Sequence, residues 1–195
     1  MLRSFNVERT AQAAAVILST AGGGAMNYTL LLKLLYLADR RAMELSGFPI
    51  TGDDPYAMKH GPVLSKTYDL IKGSTRQADL IHDLPNWKQW IRTVNDYQVQ
   101  LAADPGHRKL SRFERRILID ISQRYSGQDV WELVSHLHET LPEWKNSYIP
   151  DGSSHPISPR EILDAVGQSA NVAYILETAE EHRLISESTR PGGAL

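Results

Sequence analysis

The first quarter of the chain alternates apolar and polar positions at helical spacing. Residues 8–20 are rich in Ala and predict an amphipathic helix, ended by Gly22-Gly23-Gly24, which can adopt the left-handed backbone that closes helices. Asn27 then caps a second helix. Leu30, Leu31, Leu32, Leu34, Leu35, Tyr36 and Leu37 crowd nearly every face of it, and only Lys33 interrupts the run. A helix apolar all round belongs at the centre of a core. Its later part, Asp39–Glu44, is charged and is expected to emerge into solvent.

Gly47 to Pro55 is turn material, followed by a short extended stretch, Tyr56–Lys59. Pro62 suits the first position of a helix running to about Lys72, with Gly61 held out of helical geometry by the proline after it and Gly73 ending the helix. Residues 84–92 predict a short helix that packs through Trp87 and Trp90. Tyr97, Val99 and Leu101 alternate with Gln98 and Gln100, the period of a half-buried strand, which is expected to pair with Tyr56–Lys59. Ser111 with Glu114 forms a capping-box pattern and starts a helix to Tyr125, closed by Gly127. Further helices are predicted over Val130–Leu141, Pro159–Val166 and Ala170–Leu184, with a turn at Pro142-Glu143-Trp144 and a fraying end from Ser186. The expected fold is mainly α: a single-domain helical bundle over residues 1–187 with a small two- or three-stranded antiparallel β-sheet, and a flexible tail at 188–195.

Composition narrows the function classes. At 195 residues the chain can fill one core well, and 42% hydrophobic with 23% charged residues is ordinary for a globular domain. Twenty-one basic against 23 acidic residues give a net charge of -2, which argues against a dedicated nucleic-acid binder but leaves room for a local patch. There is no cysteine, so disulfides, thiolate metal sites and cysteine nucleophiles are excluded; this suits a reducing, cytoplasmic setting. No apolar run approaches the roughly 20 residues of a membrane span. Arg3 and Arg9 ahead of Ala13–Leu18 resemble a leader, but Glu8 and Gln12 interrupt it, and an amphipathic first helix is the better reading.

Candidate chemistry is sparse. His136 and His138 lie two apart on a predicted helix and point about 200° from each other, so they cannot share an ion. The glycine run follows a helix and lacks the Lys-Ser/Thr pair of a phosphate loop, and no serine sits in a Gly-x-Ser-x-Gly elbow. Asp53 and Asp54 sit in a turn, where hydrogen bonding to local backbone is their usual work. No catalytic residue, metal or cofactor is expected, and the chain reads as a non-enzyme. The densest charge cluster is Arg108, Lys109, Arg112, Arg115 and Arg116. Arg112, Arg115 and Arg116 fall within about 100° of helical arc, with Phe113, Ile117, Leu118 and Ile121 placed opposite. A solvated face is the plain reading; the sharper one makes these five residues a candidate patch for an acidic partner or, alternatively, for a nucleic-acid backbone in a transcriptional regulator.

The order of segments resembles the Panacea domain, the SocA-like antitoxin domain of bacteria and their phages. Lys33-Leu34-Leu35-Tyr36-Leu37-Ala38 is similar to its Lys-Leu-Leu-Tyr helix, and Gly47-Phe48-Pro49-Ile50 follows. Tyr56-Ala57-Met58-Lys59-His60-Gly61-Pro62-Val63 resembles its Gly-Pro-Val signature. Leu110-Ser111 with Glu114, then Tyr125 and Gly127, are similar to its next helix, and His138 with Trp144 to its His…Pro-x-Trp element. The match spans about residues 10–150, with His60 where a tyrosine is frequent. The resemblance implies an antitoxin that neutralises a cognate toxin encoded beside it by direct contact, in some relatives as an adaptor delivering the toxin to a protease such as ClpXP and in others as a chaperone-like inhibitor. It implies no enzymatic activity and leaves oligomeric state open. In this reading Lys33, Tyr36, His60, Gly61, Pro62, Val63, His138 and Trp144 are mainly scaffold, with His138 and Trp144 pinning a helix end.

Overall fold

Helix α2 (Tyr28–Ser46) runs through the centre of the molecule, and every residue from Leu30 to Asp39 is buried. The computed structural model describes residues 2–74 and 78–188. Asn27 caps α2 by accepting the Thr29 amide, and left-handed Gly47 ends it. Helix α1 (Val7–Thr20), capped by Asn6, lays its alanine face against α2, α4 (Asp83–Trp90) and α5 (Arg112–Tyr125). Small side chains at Ala11, Ala13 and Ala14 are fully enclosed, which is what close approach of several helices demands. The Ser111–Glu114 capping box opens α5, and Ser126 rather than Gly127 caps its end. Helix α3 (Ser65–Lys72) lies beside α2, and α6 (Val130–Thr140) and α7 (Pro142–Ser147) pack on the hairpin described next. Helices α8 (Pro159–Ala165) and α9 (Val172–Ser188) complete the chain, α9 reaching beyond the predicted end at Leu184; residues 189–195 of the expected tail lie outside the described residues. The fold is mainly α, and among the described residues no helix is long and apolar enough to cross a membrane.

The strands differ from the sequence reading. Among the described residues there are two three-stranded antiparallel sheets, not one. The first joins β1 (Ala25–Asn27), β5 (Gln98–Leu101) and β4 (Ile91–Thr93) in the order β1-β5-β4. The second joins β3 (Gly61–Leu64), β2 (Pro55–Met58) and β6 (His155–Pro156) in the order β3-β2-β6. The predicted pairing of the 97–101 strand with the 56–59 stretch is therefore wrong. Both edges of β5 are taken by β1 and β4, with Val99 opposite Met26 and Thr93. Likewise Pro62 does not begin a helix. It lies on edge strand β3 opposite Ala57, where a missing N–H costs no ladder bond, and α3 starts at Ser65. Gly61 adopts φ +90 immediately after the Lys59-His60 turn. The turn predicted at 142–144 is the first stretch of α7, with Pro142 at its start.

The amino-terminal segment crosses the 50s loop at Gly52, which has φ +71; an added Cβ would lie 2.6 Å from the Ser4 carbonyl oxygen and 2.7 Å from that of Arg3. Gly152 has a similar φ of +83 but open space around it. Gly52→Ala should therefore destabilise by about 2–4 kcal/mol, and Gly152→Ala by only about 1 kcal/mol of backbone strain. Urea unfolding of both variants checks this, and equal losses would show that the crossing yields freely.

Candidate partner-binding site

Three polar side chains of α2, Lys33, Tyr36 and Asp39, are carried into the core, and each finds its partner on a different segment. Lys33, 1% exposed, donates from Nζ to the Pro62 carbonyl at 2.7 Å. Burial alone pushes its pKa down to about 7. A Cβ on Gly61 would lie 3.4 Å from Lys33 Nζ and 3.8 Å from His138 Nε2, so the ammonium and the imidazole both face the space this glycine leaves. His138 Nε2 is enclosed without a hydrogen-bond partner. Burial, reinforced by the charges of Lys33 and His60, lowers the His138 pKa and favours the neutral ring. That ring stacks on Trp144 at 4.0 Å and 3°, and Trp144 stacks in turn on Tyr148 at 4.8 Å. The Trp144 indole N–H donates to the Met58 carbonyl at 3.0 Å, fastening α7 to β2. His60 is exposed and meets the edge of Trp131, with ring centroids 5.1 Å apart. Pro62 and Val63 are buried.

Tyr36 donates its hydroxyl to Glu143 Oε1 at 2.8 Å, and the same oxygen accepts from Arg40 Nε at 2.7 Å. Burial and the nearby Glu143 charge hold the Tyr36 pKa well above its usual range. Asp39 accepts the amides of Ile50 and Thr51 at 2.8 and 2.9 Å and the Thr51 hydroxyl, which shapes the loop after α2; burial outweighs these bonds and pushes its pKa up to about 7. Asp53 does more than brace its own turn. It accepts the Lys66 and Thr67 amides at 2.9 and 2.8 Å and the Thr67 hydroxyl at 2.6 Å, serving as the missing cap of α3. Asp54 points elsewhere, to Lys66 at 3.2 Å, so the two adjacent carboxylates are not a catalytic pair.

Arg112, Arg115 and Arg116 keep to one side of α5, but their surroundings differ. Arg108 and Arg112 are exposed, and Lys109 reaches Glu8 at 3.8 Å. Arg115 is half-buried, its Nε enclosed without a partner. Arg116 lines a groove of about 550 Å³ between α2 and α5 together with Phe113, Asp120 and Arg124. Phe113, expected opposite the arginines, is 45% exposed on their side: three residues along a helix is a rotation of only about 60°. The buried side of α5 holds Glu114, Ile117, Leu118 and Ser122 instead. Glu114 receives Arg3 at 2.8 Å and Arg9 at 3.0 Å, a convergence the sequence reading missed because only its capping role has a local signature. Glu143 was missed for a similar reason: nothing in Pro142-Glu143-Trp144 marks it as the acceptor for a tyrosine more than a hundred residues away.

Lys33 generates a stability prediction. Its folded pKa of about 7 lies below the ordinary 10.5, so between those values the unfolded chain binds the extra proton and stability should rise with pH. Lys33→Met removes the buried cation but orphans the Pro62 carbonyl. The net effect at pH 6–7 should be a gain of about 1–3 kcal/mol, with the slope above pH 7 reduced. Denaturant melts from pH 6 to 10 measure both, and a variant less stable than wild type at pH 6 would refute the uncompensated-cation account.

The family model described as "Antitoxin SocA-like, Panacea domain" matches residues 31–145, more than half of the chain and the stretch that holds every residue of the Lys33–His138–Trp144 cluster. No curated protein and no solved structure gives a significant match.

Proposed function

Since the chain belongs to the SocA-like antitoxin family defined by the Panacea domain, we propose that it neutralises a toxin encoded beside it by direct protein–protein contact, as a binding protein and not as an enzyme. The family match over residues 31–145 carries this reading. The geometry supports it: the polar groups in the core are engaged in holding loops and helix ends, as at Asp39 and Asp53, so their roles are scaffolding. Large apolar side chains remain on the surface, among them Trp131 at 56% and Phe113 at 45% exposure, and aromatic residues of this size are what protein interfaces enclose. Arg116 shares its groove with Glu44 and Asp120, and the nucleic-acid alternative has no specific support.

Expression of the adjacent gene alone should arrest growth, and co-expression of this chain should restore it. Arrest that this chain cannot relieve would defeat the reading. The toxin's half-life in the rescued cells separates two modes: an adaptor for a protease shortens it, whereas an inhibitor that blocks by contact leaves it unchanged or longer. The exposed arginines have a separate outcome. Arg112→Glu with Arg116→Glu should alter stability by about 0.5 kcal/mol or less. If an acidic face of the toxin docks there, the pair should slow association, and added salt should weaken wild-type binding. Stopped-flow binding at two salt concentrations measures this; unchanged rates would leave these arginines a solvated face.

A further inference from the structure

Lys33 is the unusual residue of this fold. It is a cation buried in the core that donates to the Pro62 carbonyl, and among the described residues no carboxylate is paired with it. Buried charges ordinarily require a counter-charge. Its surroundings show where one could come from. A groove of about 610 Å³ opens onto Lys33 between the start of α2, the β2–β3 turn and the loop after α7. Tyr28, Tyr68 and Tyr148 wall it, and Lys59 and His60 stand at its mouth. Not one Asp or Glu lines it among the described residues. Lys72 lies over the Tyr28 ring at 4.2 Å, adding a further cation behind that wall. The groove between α2 and α5 differs: its arginines are mixed with Glu44 and Asp120. Beside the mouth, the half-exposed Trp131 packs edge-on against His60 and offers an apolar anchor.

We propose that this groove is a carboxylate-binding pocket that receives an acidic side chain of the bound partner protein, with Lys33 at its floor, Lys59 and His60 at its rim and Trp131 as the neighbouring apolar contact. The occupant rests on the antitoxin reading; the pocket itself does not. Charge complementarity selects the occupant. Among the described residues the lining carries Lys33, Lys59, His60 and three phenols but no acid, with Asp151 engaged by Ser153 behind it. The groove therefore disfavours basic segments and supplies an anion with N–H and O–H donors. The enclosed, unpartnered Nε2 of His138 adds a second polar atom facing the same glycine as Lys33. A carboxylate drawn in toward Lys33 supplies the counter-charge that its single carbonyl contact does not.

Two measurements test this. In the first, the Lys33 side chain is titrated by NMR on the full chain in sodium acetate and in sodium chloride of equal ionic strength. Acetate should move the titration midpoint upward by half a pH unit or more, and Lys59→Glu, which sets an acid at the mouth, should suppress that shift. In the second, affinity for the product of the adjacent gene is measured. Lys33→Met should weaken it at least tenfold without lowering the melting temperature, and Trp131→Ala and Lys59→Glu should weaken it as well. Should Lys33→Met fail to fold, Lys59→Glu and the acetate titration decide alone. An absent acetate effect together with wild-type affinity in the variants overturns the proposal. An acetate effect with unchanged partner affinity overturns the assigned occupant and leaves a pocket for a small free carboxylate. If the wild-type chain does not bind the neighbouring product at all, the antitoxin reading fails, and the acetate titration still passes judgement on the pocket.

Discussion

A helix segment buried on all sides, as α2 is from Leu30 to Asp39, cannot leave its polar side chains to water, and this constraint arranges much of the protein. Lys33, Tyr36 and Asp39 follow one another at intervals of three, so they descend one flank of the helix, each rotated by about 60° from the last. Each must be satisfied where it stands. Lys33 draws in the β2–β3 hairpin through the Pro62 carbonyl, Tyr36 draws in α7 through Glu143, and Asp39 fixes the 50–51 loop through two amides and a hydroxyl. The apolar positions of α2 supply the burial free energy, but they are interchangeable in direction. The polar flank is what specifies which segment lies where, the role best attested for polar groups inside cores.

The sequence disclosed elements whose signals are local and lost those decided at a distance. Asn27 as a cap, the Ser111–Glu114 box and the all-round apolar pattern of α2 each depend on residues within one or two turns, and all three stand in the structure. The sheets were misread because strands of two to four residues carry a period but no address. Val99 alternates visibly, yet nothing in residues 97–101 names Met26 and Thr93 as its neighbours. Pro62 misled in the opposite way. Its fixed φ serves the first turn of a helix or an edge strand equally, and Gly61 at φ +90 settles the matter only once the hairpin exists.

The groove was not legible as a binding place. Along the chain Lys33, His60, Gly61, Pro62, His138 and Trp144 read as scaffold, and the fold gathers them around Gly61. What no local pattern could give is the sign of the groove beside them. That sign depends on Tyr28, Tyr68, Tyr148 and Lys59 arriving from four separate segments without an acid among them. The basic cluster at 108–116 shows the converse. Five cations close in sequence look alike, and the fold gives them different partners: Lys109 an ion pair, Arg115 a half-buried niche and Arg116 a mixed groove.

These two cases bear on how a scaffold can also recognise. A surface arginine is hydrated before binding and gains little from an added acid, since solvent screening already weakens the pair. Lys33 has lost its hydration on folding and is held by one carbonyl, which is why burial alone lowers its affinity for a proton. Its counter-charge is therefore left for a partner to bring. Stability set aside in the free protein becomes binding free energy in the complex, the same trade that leaves functional residues suboptimal for folding in many proteins. An aspartate within the chain, placed in the groove, would satisfy the lysine and close the pocket. The absence of an acid from its lining among the described residues is thus the feature on which recognition depends, and Tyr148, stacked on Trp144, is held in place as one of the groove's walls.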